Sequence, residues 1–73
     1  MITVLLNGES RAVVPATTLH ALVAEHVPAS LDGGGPRGVA AAVNDTVVPR
    51  IEWATITLDE GDRVEIVSAV QGG

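Results

Sequence analysis

Five residues at the end of the chain, Ala69-Val70-Gln71-Gly72-Gly73, are of types better suited to chemistry than to folding. Glycine has no Cβ, so Gly72 and Gly73 fit a channel too narrow for side chains and adopt dihedrals closed to other residues. The group such a segment presents is the Gly73 carboxylate. Fully extended, the five residues reach about 17 Å, enough to enter a buried site in a second protein while the rest of the chain stays outside. The plainer alternative is a frayed end, since the last residues of most domains are loose. At average glycine usage, however, a chain ends in two glycines only about 0.5% of the time, which favours the chemical reading. Gly73 is therefore the expected site of modification, with Val70, Gln71 and Gly72 threading into a partner.

The other chemically capable groups form weaker constellations. Gly33-Gly34-Gly35 lacks the lysine of a phosphate-binding loop and the spacing of a dinucleotide fingerprint, so any ATP chemistry belongs to a partner. His20 and His26 lie six residues apart on a predicted helix, poorly placed to share a ligand, and no cysteine completes a metal site. His26, on the apolar face, is expected to be a hydrogen-bonded core residue. Asp59, Glu60 and Asp62 crowd a four-residue turn that lacks the long loop of a calcium site. They read as a solvated turn, with rim contacts to a basic partner as a secondary role. Arg37, Arg50 and Arg63 read as surface charges. No catalytic residue, metal or bound cofactor is assigned.

The elements that must position the tail are few, because 73 residues allow one small core and leave no room for a catalytic cleft. There is no cysteine, which removes disulfides and thiol nucleophiles. There is also no lysine, so an activated Gly73 carboxyl meets only the N-terminal amine as an amine nucleophile within its own chain. Nine acidic residues against four arginines give a net charge of -5, which argues against nucleic acid and anionic membranes and for a basic docking surface. Apolar runs are much shorter than a membrane span, and no basic segment precedes an apolar one as in a signal peptide. The expected location is the cytoplasm.

Ile2, Val4 and Leu6 alternate as in a strand buried on one face, and Asn7-Gly8 is a hairpin signal. A second strand is expected over Ser10 to Val14, stopped by Pro15. Thr17 or Thr18 can cap a helix whose face carries Leu19, Leu22, Val23 and His26 and which ends before Pro28. Ala29 to Arg37 reads as a loop. Val39 to Val43 reads as a strand buried on both faces, Asn44-Asp45 as a turn, and Thr46 to Val48 as a short strand closed by Pro49. Arg50 to Ala54 forms a single turn that places Trp53, the only aromatic residue, against the core. The last strand, Arg63 to Ser68, points Val64 and Ile66 inward and Arg63, Glu65 and Val67 outward.

This order predicts an α+β domain over residues 1–68, a mixed sheet of four to five strands with one helix packed across one face, followed by a flexible tail, 69–73. Parallel pairing of the first and last strands is the simplest way to bring both into the core. Leu5, Val48 and Val67 are then expected on the face opposite the helix, as a partly exposed apolar docking patch.

Asn7-Gly8-Glu9, Thr18-Leu19 with Leu22, Arg37-Gly38-Val39-Ala40 with Val43-Asn44, Val47-Val48-Pro49-Arg50, Trp53-Ala54, Glu60 to Ile66 and Val70-Gln71-Gly72-Gly73 together resemble the ThiS family, the bacterial sulfur carriers of thiamin thiazole biosynthesis. The likeness covers nearly the whole chain and is most specific from Arg37 to Gly73. The triple-glycine loop is its main departure. The resemblance implies a ubiquitin-like β-grasp fold. It also implies that a ubiquitin-activating-like adenylyltransferase of the ThiF type uses ATP to adenylate the residue matched by Gly73. Cysteine-derived sulfur then converts the adenylate to a thiocarboxylate, and a thiazole synthase of the ThiG type takes that sulfur. The chain would be a protein co-substrate, not an enzyme. Related possibilities are the small subunit of molybdopterin synthase, another thiocarboxylate carrier, a ubiquitin-like modifier of lysines, or a plain interaction domain with an inert tail. Gln71 and Trp53-Ala54 resemble the thiazole carrier more than the molybdopterin subunit.

Overall fold

In a computed structural model of the chain, residues 1–27 and 38–68 are described. Strands β1 (Ile2–Leu6) and β2 (Glu9–Val13) are followed by helix α1 (Leu19–His26), strands β3 (Val39–Val43) and β4 (Thr46–Val47), a 3₁₀ helix (Arg50–Thr55) and strand β5 (Arg63–Ser68). The strands form one five-stranded sheet in the order β2-β1-β5-β3-β4. β1 and β5 run parallel, and the other neighbouring pairs run antiparallel. The expected mixed α+β sheet with parallel first and last strands is therefore present. Pro28, the Ala29 to Arg37 loop and the 69–73 tail lie outside the described residues.

Both hairpins turn on an asparagine in the left-handed region. Asn7 and Gly8 have φ of 51° and 87°, and Asn44 and Asp45 have φ of 51° and 72°. Two consecutive positive φ values give the mirror-image turn whose twist matches that of the flanking strands. The first turn pairs Leu6 with Glu9, so β2 starts one residue earlier than the alternation implied and stops at Val13. Thr18 caps α1, its Oγ1 accepting from the Ala21 N–H at 3.1 Å.

The core lies on one face of the sheet. Val4 and Leu6 of β1, Ala41 of β3 and Val64 and Ile66 of β5 pack with Leu19, Leu22 and Val23 of α1 and with Trp53 and Leu58. The Trp53 indole N–H donates to the Val48 carbonyl at 2.8 Å, giving the buried ring a partner for its one polar group. Two expectations are corrected. His26 is exposed, because it is the last residue of a helix of eight and falls beyond the buried stretch from Leu19 to Val23. β3 is not buried on both faces: Ala41 is buried and Ala40 exposed, since the core covers only one side of the sheet.

The parallel contact between β1 and β5 is only two residue pairs long, Leu5 with Arg63 and Leu6 with Val64. The acidic turn extends it at its start. The Gly61 N–H donates to the Thr3 carbonyl at 2.8 Å, and the Thr3 N–H donates to Glu60 Oε1 at 2.9 Å. Asp62 braces the turn itself, Oδ2 accepting from the Asp59 N–H at 2.8 Å and Oδ1 from the Asn44 side chain at 3.0 Å. Glu60 and Asp62 are thus structural as well as solvent-facing.

Candidate functional site

Strand register decides which side chains share the face opposite the helix. Leu5 pairs with Arg63 across β1 and β5. Glu65 and Val67 follow Arg63 at alternate positions of β5 and pair with Ala42 and Ala40 of β3, and Ala42 pairs with Val47 of β4. Paired residues point to the same side of a sheet, and residues two apart along a strand do likewise. Leu5, Arg63, Glu65, Val67, Ala40, Ala42 and Val47 therefore line one outer face.

Of the three expected patch residues, two stand there. Leu5 is 37% and Val67 63% exposed, whereas Val48 is 8% exposed and belongs to the core. The cause is register. Val43 pairs with Thr46 and Ala42 with Val47, which directs Val47 outward and leaves Val48 to turn inward, its N–H donating to the Ala41 carbonyl at 2.9 Å. Val47, 72% exposed, takes the place expected for Val48. The expectation of an outward Val48 is therefore corrected by one residue.

The outer face has two parts. Val67 and Val47 line one shallow apolar depression with Ala40, Ala42 and Glu65. Leu5 lines a separate one with Gly8, Asp45, Arg63 and Glu65. Two residues of this second depression form a surface ion pair, Arg63 Nη2 to Asp45 Oδ2 at 2.9 Å. Val67 immediately precedes Ser68, the last residue of β5, so the apolar depression adjoins the origin of the 69–73 segment. The expected site residues Val70, Gln71, Gly72 and Gly73 lie outside the described residues.

Sequence reasoning also missed Asn7. It served there as a turn residue, but its side chain reaches across 59 positions to both backbone polar groups of Ile66, with Oδ1 2.9 Å from the N–H and Nδ2 3.1 Å from the carbonyl. No local pattern encodes a contact of that separation. Among the described residues no three His, Cys, Asp or Glu side chains come together to hold a metal ion, and no helix is long and apolar enough to cross a membrane.

A hairpin, a helix laid over its sheet, and a last strand running parallel to the first and leading to the C-terminal segment define a β-grasp domain of the ubiquitin type. The same fold is seen in the crystal structure of the thiamine biosynthesis protein ThiS from Geobacter metallireducens, with a TM-score of 0.68 over 99% of this chain and 100% of that one at 23% identity. The model of the ThiS family matches residues 4–73, and the chain belongs to that family. The chain is also 34% identical, over 68 residues, to a thiazole synthase from Paramagnetospirillum magneticum. That match takes in 93% of this chain and 19% of the relative, so the chain spans about a fifth of that protein's length.

Proposed function

We propose that the chain is a sulfur carrier for thiazole formation in thiamin biosynthesis, with Gly73 as its working residue. The observation that carries this reading is that the family match continues to Gly73, taking in Val70, Gln71 and Gly72. A carboxylate is a poor electrophile. A partner adenylyltransferase joins the Gly73 carboxylate to AMP with release of pyrophosphate from ATP, which supplies a leaving group. Hydrosulfide attack on the acyl carbonyl then expels AMP and leaves the thiocarboxylate. If the sulfur arrives as a cysteine persulfide, attack gives an acyl disulfide, and a thiol reduces the S–S bond to release the same product. A thiazole synthase takes this sulfur and returns the carboxylate.

The chain's own contribution is presentation. Gly72 and Gly73 pass where side chains cannot, and the exposed Val67 and Val47 beside the base of the segment offer apolar area to whichever enzyme holds it. The net charge of -5 favours a basic rim on that enzyme. The likeness to a segment of a thiazole synthase supports that enzyme as the sulfur acceptor, since a carrier and the synthase it serves work in contact.

The test is the intact mass of the chain after incubation with ATP, an activating enzyme from the same cell and a sulfur source. The expected gain equals replacement of one oxygen by one sulfur, maps to Gly73 and disappears when Gly73 is deleted. No gain, with the activating enzyme shown to work on another carrier, would overturn the proposal.

A further inference from the structure

β1 leaves its parallel ladder with β5 at Asn7, where φ of 51° swings the backbone into the hairpin. The Asn7 N–H still donates to the Val64 carbonyl at 2.9 Å. In an unbroken parallel ladder the backbone carbonyl of residue 7 would then accept from the Ile66 N–H, and the N–H of residue 9 would donate to the Ile66 carbonyl. The backbone has turned away, and the Asn7 side chain supplies both groups: Oδ1 accepts from the Ile66 N–H at 2.9 Å and Nδ2 donates to the Ile66 carbonyl at 3.1 Å. A primary amide carries both a donor and an acceptor, so one side chain stands in for those two backbone groups and extends the grip on β5 past the point where β1 turns away. On the other side of β5, Glu65 and Val67 pair with Ala42 and Ala40. Ile66 is thereby gripped from β1 and its neighbours from β3, just before β5 ends at Ser68.

We propose that Asn7 is a positioning residue for the C-terminal segment, fixing through Ile66 the strand from which residues 69–73 continue and hence the approach of Gly73 to the activating enzyme. This role rests on the carrier reading of Gly73. Asn44 offers an internal control. It has the same φ of 51°, its Oδ1 accepts from the Arg63 N–H at 2.9 Å, and it grips the opposite end of β5. Glycine accepts positive φ readily, so Asn7→Gly and Asn44→Gly each remove an amide while keeping the turn.

The experiment compares the full-length wild type, N7G and N44G by amide hydrogen exchange at Ile66 to Ser68 and by kcat/KM for sulfur gain at Gly73. Losing two backbone-directed hydrogen bonds should speed exchange at Ile66 to Ser68 in N7G by roughly tenfold and lower kcat/KM by a similar factor, with N44G staying within about twofold of wild type. Asn7→Asp keeps the turn and the acceptor for the Ile66 N–H but sets a carboxylate against the Ile66 carbonyl. It should fall between, and it decides the matter if N7G does not fold. Unchanged exchange at Ile66 to Ser68, unchanged sulfur gain despite faster exchange, or equal effects in N7G and N44G would each overturn the role of Asn7 while leaving the carrier reading intact. A wild-type chain that gains no sulfur overturns the carrier reading and this role with it.

Discussion

Val47 and Val48 are neighbours in sequence and opposites in the fold, so alanine substitution on the two sides of the sheet should separate binding from stability. Val67 stands for the outer face and Val48 for the inner. Val→Ala removes about two methylene equivalents, worth roughly 1.6 kcal/mol when fully taken out of water. Val48 is 8% exposed, so Val48→Ala forfeits nearly all of this and adds a cavity term, for a loss of about 2 kcal/mol of stability. For a domain of this size that lowers Tm by roughly 10 °C. Val67 is 63% exposed in the free chain, so that a partner covering it gains about 1 kcal/mol, or roughly fivefold in Kd, which Val67→Ala should remove. Its effect on stability should stay within about 0.5 kcal/mol. Thermal melts by circular dichroism and titration calorimetry against the proposed adenylyltransferase partner read the two quantities separately. A Val67→Ala chain that binds as tightly as wild type would refute docking through the outer face, and a Val48→Ala chain that melts at the wild-type temperature would refute the inward placement of Val48.

Two further substitutions test the devices that shape the sheet. Trp53→Phe leaves the buried Val48 carbonyl without the indole donor and should cost about 1–3 kcal/mol, measured by urea denaturation followed by circular dichroism; a cost below about 0.5 kcal/mol would show that the bond is immaterial. Gly61 has φ of 85°, and a Cβ there would meet nothing within 4 Å. Gly61→Ala should therefore lose about 1 kcal/mol to backbone strain alone, while D-alanine, introduced by chemical synthesis, should leave Tm unchanged; equal losses in both would point to steric contact instead.

Much of this protein was legible without coordinates. Ile2, Val4 and Leu6, and later Val64 and Ile66, advertise their strands because a sheet covered on one face sorts side chains with a period of two. Leu19, Leu22 and Val23 mark the helix in the same way with a period of 3.6. Asn7-Gly8 and Asn44-Asp45 announce turns because few residues tolerate positive φ. What the chain order left open was decided by tertiary structure. The alternation in Val39 to Val43 is silent because alanine suits either face, and only the one-sided core shows that Ala40 is exposed. The choice between Val47 and Val48 depended on a single step of register in a strand of two residues, and in a sheet one step exchanges inside for outside. Asn7 carries the same lesson further. Its turn is written in two adjacent residues, but its grip on Ile66 exists only because the fold lays the first strand beside the last, bringing an amide to a backbone 59 positions away.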